Sequence, residues 1–256
     1  MKFYEKFIQR RQKVPKPRIL IYDIESTPIK FWGWRTGKTY LSHENIVAGQ
    51  KTGIICICYK WLGDTEIHSL DWGLKSQNSD KVVDEFSKIL EQADIAVAHN
   101  GDGFDAKHIN TQRWLSGKPP IAWPTSEDTL KMCRKHFALP SNRLDYIAKL
   151  VTGSGKSPMS FQDWIDIVDN KDPDALEKMI KYCRRDVSKL AKVYRSIFKH
   201  CKPKAHRGLM IGTGTSSCPS CGSTRSRSKG LLYRMASVLQ RRQCKDCGHE
   251  FSRRAP

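Results

Sequence analysis

Asp23 and Glu25 are the residues whose types and spacing most directly suggest chemistry. They end an apolar run in the segment Arg-Ile-Leu-Ile-Tyr-Asp-Ile-Glu-Ser-Thr-Pro, residues 18–28. In a β-strand, side chains two positions apart point to the same face. The two carboxylates would therefore repel each other beside a hydrophobic strand unless a cation lies between them. A divalent metal ion with oxygen ligands meets this need, and the alternative is a strand end with two solvated acids.

Two later segments carry further acids. Asp105 follows Asn-Gly-Asp-Gly-Phe, residues 100–104, where a predicted strand gives way to a predicted helix. Taken alone, it is better explained as an acid that complements the helix dipole. Tyr182 and Asp186 are four residues apart in a long predicted helix, so their hydroxyl and carboxylate share one helix face. The alternative for Asp186 is an ordinary surface acid beside the two arginines that precede it.

In this order, the acid-x-acid strand, the Asn-Gly-x-x-Phe-Asp turn and the Tyr-x-x-x-Asp helix resemble the DEDD 3′–5′ exonucleases. These enzymes form the DnaQ-like branch of the RNase H-like superfamily. With tyrosine at position 182, the sequence resembles the y-type of these enzymes, in which a tyrosine precedes the last aspartate by four residues. This type is related to the exonuclease domain of family B DNA polymerases. A histidine-type relative would carry His at position 181, which is Lys here. The segments 128–137 and 139–145 are also similar to this group, and the resemblance extends over residues 19–200.

The resemblance implies a site for two Mg²⁺ (or Mn²⁺) ions. Two such ions ~3.5–4 Å apart can clamp an in-line displacement at phosphorus. The implied ligands are Asp23, Glu25, Asp105 and Asp186. Asp23 would bridge both ions, and Tyr182 would orient the attacking water. Its unperturbed pKa of ~10 favours this orienting role over deprotonation.

Substrate contacts are implied by the same resemblance. The positions that match are Ser26 and Thr27, after the acidic pair, and Asn100 and Phe104, in the turn before Asp105. Ser26 and Thr27 would hold the terminal nucleotide through backbone or hydroxyl groups. For Phe104, a position in the hydrophobic core is the alternative.

A second metal site is predicted by four cysteines near the end of the sequence, Cys218, Cys221, Cys244 and Cys247. Two Cys-x-x-Cys pairs at this separation are typical of a zinc site, and the pattern resembles a zinc ribbon. Four thiolates complete a tetrahedron, so one structural Zn²⁺ is expected, without a catalytic role. A module this small needs the metal because its own core is too small to fold alone. Whether the ribbon binds nucleic acid or docks on a protein stays open.

The distribution of charge indicates a polyanionic partner. Of the net charge of +19 over 256 residues, residues 1–18 contribute +6 and residues 201–256 contribute +10. Basic ends around a near-neutral centre suit nucleic acid. Single-stranded DNA is the favoured substrate and RNA stays possible, with replication or repair proteins as possible further partners. The sequence predicts neither a membrane span nor a secretion signal, so a cytoplasmic protein is expected, and oligomeric state is left open.

The order of predicted elements indicates an α/β fold, with a mixed, RNase H-like sheet flanked by helices and a small zinc-ribbon module. Four domains or segments are predicted: a basic N-terminal arm at 1–18, an exonuclease domain at 19–200, a linker at 201–217 and a zinc ribbon at 218–256. Strands are predicted at 19–23, 53–61, 65–70 and 94–99. Helices are predicted at 79–91, 104–114, 128–137, 144–151 and 173–200.

These observations predict a metal-dependent 3′–5′ exonuclease that hydrolyses single-stranded DNA ends and releases 5′-mononucleotides. The basic zinc ribbon would aid nucleic-acid binding. One alternative is a catalytically inactive nucleic-acid-binding or regulatory protein on an exonuclease fold. Another is an RNase H-like endonuclease, which would cut a substrate that has no end.

Overall fold

A five-stranded mixed sheet forms the centre of the molecule. The computed structural model describes residues 16–34, 37, 40, 42–50, 52–153 and 159–254. The sheet has the strand order β3-β2-β1-β4-β5. Its strands are β1 (Ile19–Ser26), β2 (Ile54–Trp61), β3 (His68–Asp71), β4 (Ile95–Ala98) and β5 (Thr125–Asp128). The first three pair antiparallel, and β4 and β5 run parallel to β1. The predicted α/β class and mixed sheet are confirmed.

Six helices accompany this sheet in the described part of the chain. They are α1 (Ser79–Leu90), α2 (Asp105–Leu115), α3 (Thr129–His136), α4 (Leu144–Thr152), α5 (Phe161–Ile165) and α6 (Pro173–Ile197). A π-helical turn at 166–170 follows α5, and 3-10 turns lie at 43–45 and 198–200. None of the described helices is long and apolar enough to span a membrane.

The central position of β1 follows from its sequence. A strand covered on both faces reads as a continuous apolar run, and the first four residues of β1 are all buried. Hydrogen bonding to β2 aligns Asp23 with Cys58 and Glu25 with Cys56, and a bulge follows between Glu25 and Ser26. The two carboxylates of β1 therefore lie where this strand leaves the core.

Helix α6 packs one apolar face across the sheet. Asp172 caps its N-terminus by accepting hydrogen bonds from the backbone N–H groups of residues 174 and 175, and Pro173 occupies the first turn. Both features are typical of a helix start. The buried side chains recur at helical spacing and include Met179, Cys183, Val187, Leu190 and Tyr194. Tyr182 and Asp186 lie on the buried side as well, which brings the predicted motif onto the sheet.

A second sheet near the C-terminus has the order β6-β7-β8 and is antiparallel. Its strands are β6 (Ser226–Arg234), β7 (Ser237–Cys244) and β8 (Glu250–Arg254). The interval predicted to be a linker contains helix α7 (Arg207–Met210), and the side chain of Arg207 is buried. The four predicted domain boundaries stay predictions, and the basic arm lies outside the described residues apart from its last three positions.

The structure contains elements that the sequence pattern does not predict. Strand β5 has the polar sequence Thr-Ser-Glu-Asp, which lacks the apolar alternation of a half-buried strand. It lies at the edge of the sheet, and among the described strands it pairs only with β4. Its two acids are buried through specific partners, because Glu127 meets a cation and Asp128 accepts backbone hydrogen bonds. The short helix α5 and the π-helical turn after it are likewise absent from the predicted elements.

Candidate active site

Asp23 and Glu25 meet helix α6 at the exit of β1. One ligand atom from each of Asp23, Glu25 and Cys183 lies within 4.8 Å of the other two. The Cys183 thiol donates to the Asp23 backbone carbonyl at 3.5 Å and approaches its carboxylate at 3.7 Å. The structure therefore places the predicted acidic pair against the helix that carries the Tyr-x-x-x-Asp motif.

Asp186 and Tyr182 flank Cys183 on the same helix face. Asp186 is three residues beyond Cys183, a rise of about 4.5 Å along the axis, and a hydrogen bond joins it to the Tyr182 hydroxyl. Its charge also helps to raise the pKa of Asp23. Both side chains are largely buried. Helix α6 thus brings the Tyr182 hydroxyl and the Asp186 carboxylate towards the acidic pair.

Asp105 approaches β1 through the first turn of α2. Its carboxylate accepts hydrogen bonds from its own backbone N–H and from that of Ile24, between the two predicted ligands on β1. The Oδ1 atom of this carboxylate is buried without a hydrogen-bond partner. An orphaned buried oxygen is destabilising on its own, and a cation would satisfy it.

The electrostatics of the site favour a bound cation. Burial, followed by the charges of Asp105, Glu25 and Asp186, raises the pKa of Asp23 well above its usual value. Burial also raises the pKa of Asp105 to about 7, against the two hydrogen bonds that lower it. Carboxylates in such surroundings are costly to ionise without a positive partner. The donor set of oxygens and the orphaned oxygen fit hard divalent cations such as Mg²⁺ or Mn²⁺.

Asp128 positions the turn that carries Asp105. This buried carboxylate accepts hydrogen bonds from the backbone N–H groups of Asn100 at 3.0 Å and of Asp102 at 3.3 Å, and it also caps α3. Asn100 adopts a left-handed backbone with φ of 68°, which asparagine tolerates better than most residues. At Gly101, a Cβ would lie 2.6 Å from the Ala98 side chain. The sequence places Asp128 at the start of a predicted helix but does not indicate its contact with this turn, because its partners there are backbone groups.

The four predicted substrate positions have different surroundings. Asn100 is exposed, and Phe104 is 39% exposed with its ring 4.4 Å from that of His108. Phe104 is therefore not a core residue. The Thr27 hydroxyl accepts a hydrogen bond from the backbone N–H of Gly53 at 2.9 Å, and Ser26 is half-buried at the bulge. Their contact with a substrate stays a prediction.

Three buried thiols form the floor of the site. Cys56 and Cys58 lie opposite Glu25 and Asp23 on β2, and both interact with the Cys183 thiol. All three are free cysteines. Their proximity is not predictable from the sequence, since it depends on the register of two strands and the rotation of α6.

The cysteine quartet is assembled as predicted. The four sulfur atoms lie within 4.8 Å of one another, with Cys218 and Cys247 at 3.7 Å and Cys221 and Cys244 at 3.6 Å. Tetrahedral Zn–S bonds of about 2.3 Å imply sulfur separations of about 3.8 Å. Gly222 and Gly248 follow the second cysteine of each pair with φ of 78°. The cluster fits a closed zinc site.

The chain belongs to the RNase H superfamily. The family model described as RNase_H superfamily matches residues 43–198, which is more than half of the chain. The match begins after β1, so Asp23 and Glu25 lie outside it. No curated protein is significantly similar to this sequence.

A solved structure supports the same fold. The family B DNA polymerase from the hyperthermophilic archaeon Pyrobaculum calidifontis is similar, with a TM-score of 0.54 and 14% sequence identity. The alignment covers 72% of this chain and 25% of the polymerase chain. At this identity, the similarity concerns the fold alone. Family and fold together support a nucleic-acid nuclease as the general class.

We expect Asp105→Asn to stabilise the protein in Mg²⁺-free buffer. The folded-state pKa of about 7 lies above the unfolded value near 3.9, so the folded state holds an extra proton between these values. Stability therefore falls as pH rises through this window and stays low above pH 7. The substitution should raise the free energy of unfolding at pH 8 by about 1–3 kcal/mol. Urea unfolding from pH 5 to pH 8 measures it.

The exposed acid Asp64 provides the control. Asp64→Asn should leave both the free energy of unfolding and its pH dependence unchanged. An equal pH dependence in the wild type and in Asp105→Asn would show that ionisation of this carboxylate does not destabilise the fold.

Proposed function

We propose that this chain is a divalent-metal-dependent 3′–5′ exonuclease of the DEDDy type, acting on single-stranded DNA ends and releasing 5′-mononucleotides. One observation carries the proposal most directly. Asp23 and Glu25 meet Cys183 within 4.8 Å, on the helix face that also carries Tyr182 and Asp186. Side chains from two distant segments thus converge at one end of β1.

Four carboxylates would hold the cations, namely Asp23, Glu25, Asp105 and Asp186. When bound, two divalent ions supply a nucleophile from water and stabilise charge on the attacking and leaving oxygens. Asp23 is central because Glu25, Asp105 and Asp186 all influence its charge. Asp105 would contribute from the first turn of α2, and the hydrogen bond from the Ile24 N–H fixes its orientation. The chain supplies a rigid frame of carboxylates, which limits reorganisation during the reaction.

Tyr182 would orient the attacking water. Burial, then the charge of Asp186, raises the pKa of Tyr182 far above its usual value. A raised pKa favours the protonated phenol, which fits the role of orienting the water better than the role of base. Its hydrogen bond to Asp186 fixes the ring beside the acidic pair. The terminal nucleotide would contact Ser26, Thr27, Asn100 and Phe104.

The cysteine quartet would hold one structural Zn²⁺, and the basic ribbon around it would aid nucleic-acid binding. Sulfur separations of 3.6 and 3.7 Å support this assignment. Four thiolates leave no open position, so the metal would have no catalytic part.

Digestion of a labelled oligonucleotide tests the function. A 5′-labelled single strand with Mg²⁺ or Mn²⁺ should shorten stepwise from its 3′ end and yield 5′-mononucleotides. A circular single strand should resist. Cleavage of the circle would indicate an endonuclease, and binding without any cleavage would indicate an inactive nucleic-acid-binding protein. A parallel RNA substrate measures the preference between the two polymers.

Tyr182→Phe should lower kcat by about 10- to 100-fold, because one hydrogen bond in a charged site contributes roughly 1.5–3 kcal/mol. The pH–rate profile should keep its shape, since the phenol does not ionise in the working range. Initial rates on the labelled strand between pH 6 and pH 9 provide the measurement.

Tyr146→Phe, on α4, is the matched control and should retain the wild-type rate. Loss of a basic pH limb in Tyr182→Phe would instead assign the phenol the role of base.

A further inference from the structure

A cleft of about 1200 Å³ separates the zinc-ribbon sheet from the nuclease domain. One wall is the segment after α6, from Lys202 to His206, together with His136 and His200. The other wall is formed by residues of β6, β7 and β8. The site of the acidic cluster is not part of this cleft.

The cleft is strongly basic. Its lining contains one carboxylate, Glu250, and five cationic side chains: Lys202, Lys204, Arg234, Arg253 and Arg254. Glu250 lies 3.8 Å from Lys229. Within the described residues, neither Arg234 nor Arg254 forms an ion pair, and both are exposed. Cations without acidic partners lining a shared groove match a polyanion.

The two walls are fixed relative to each other by a buried ion pair. The Arg207 guanidinium donates to Glu127 on β5 at 2.9 Å, and it also bonds the Tyr194 hydroxyl on α6. The backbone N–H of Arg207 donates to the carbonyl of Pro219, between Cys218 and Cys221. His249 on the ribbon approaches the Lys199 carbonyl at 3.2 Å. The cleft is therefore preformed, which limits the entropy lost on binding.

The cleft adjoins the turn that carries Asp105. Lys204, on its wall, forms an ion pair at 3.3 Å with Asp102, three residues before Asp105. Asp186 belongs to the acidic cluster, and Tyr194 is the hydrogen-bond partner of Arg207 between the two walls. The two residues are eight positions apart along α6, a rise of about 12 Å. A strand with its 3′ end at the acidic cluster could thus continue past this turn into the cleft.

We propose that this cleft binds the phosphate backbone of the substrate strand behind its 3′-terminal nucleotide, so that nuclease domain and ribbon hold one continuous strand. This inference rests on the proposed function. Single strands are commonly held by basic grooves with aromatic side chains for base stacking. Phe251 lines the cleft, with its ring parallel to that of His249.

The test is charge reversal at two exposed cleft residues, Arg234→Glu with Arg254→Glu. Binding of fluorescein-labelled oligothymidylate, about 20 nucleotides long, is followed by anisotropy without Mg²⁺ and at several salt concentrations. Affinity should fall by about tenfold or more, and the salt slope should decrease by about 1.4, for two lost phosphate contacts. The milder Arg234→Gln with Arg254→Gln should give a smaller loss in the same direction.

Hydrolysis of a small ester distinguishes an effect on strand binding from an effect on catalysis. The p-nitrophenyl ester of thymidine 5′-monophosphate has no upstream strand, so its hydrolysis with Mg²⁺ should change by less than about twofold in the cleft variant. The KM for the oligonucleotide should rise. Zinc content and Tm equal to those of the wild type establish that the variant is folded.

A charge-matched control decides whether the effect is local. Lys88→Glu with Lys245→Glu changes net charge equally at exposed positions on α1 and on the ribbon, outside the cleft lining. Equal loss of affinity in the control, or no loss in the cleft variant, would overturn the proposal. If the wild type hydrolyses nothing but the cleft variant still loses binding, the exonuclease proposal fails and the cleft proposal stands.

Discussion

Replacement of Asp23 by asparagine should reduce kcat on single-stranded DNA by about 10³- to 10⁵-fold, because a metal site of this kind contributes several kcal/mol to transition-state stabilisation. Asp23 adjoins Glu25 and Cys183, and every other predicted ligand bears on its charge. The amide lacks the negative charge that would hold two cations together. Initial rates with Mg²⁺ and Mn²⁺ measure the effect.

Asp102→Asn is the matched control for this substitution. Asp102 lies in the turn beside Asp105, but it pairs with Lys131 at 2.8 Å and with Lys204 at 3.3 Å. Its carboxylate is therefore engaged away from the acidic cluster, and its loss should leave kcat within about threefold of the wild type. If Asp23→Asn keeps more than about a tenth of wild-type kcat, the four-carboxylate site is wrong.

Cys244→Ser should abolish zinc binding and unfold the C-terminal sheet. The described part of the C-terminal module has few buried apolar side chains, and two of its most buried residues belong to the cysteine quartet, Cys218 and Cys244. Binding of structural zinc contributes roughly 10–16 kcal/mol in small domains, most of which is folding free energy. Zinc content should fall from one equivalent to none. Limited proteolysis should then cut within 218–254 while the five-stranded sheet persists.

The hydrolysis of the small thymidine ester should survive in Cys244→Ser, because the acidic cluster belongs to the other sheet. Oligonucleotide affinity should fall by tenfold or more, about the loss expected for several phosphate contacts. Cys201→Ala removes a buried thiol outside the quartet and should keep one zinc per chain. Retention of a full zinc equivalent in Cys244→Ser would contradict the assignment of the site.

Much of the framework could be predicted because the relevant signals are local. The apolar run of β1, the caps of α6 and the spacing of the cysteine pairs are each contained in a short segment. The acidic pair and the Tyr182–Asp186 pair also rely on geometry within a single element. Their convergence required the order of the motifs along the chain, and the structure places Cys183 as the contact between them.

The remaining features depend on partners that are distant in sequence. Strand β5 is too polar to recognise, because Glu127 and Asp128 are buried only in the presence of Arg207 and of the turn at 100–102. The segment 201–217 has the composition of a linker, but Arg207 anchors it to the sheet. The thiols of Cys56 and Cys58 reach the site through strand register alone.

Arg207 also limits how far the protein can be shortened. A chain ending at residue 200 would contain the full five-stranded sheet but would leave the buried Glu127 carboxylate without its cation. Removing one member of a buried ion pair typically destabilises a protein by about 3–5 kcal/mol. Truncation at residue 200 would therefore destabilise the five-stranded sheet itself, because the segment between the two sheets supplies the Arg207 side chain to its buried interior.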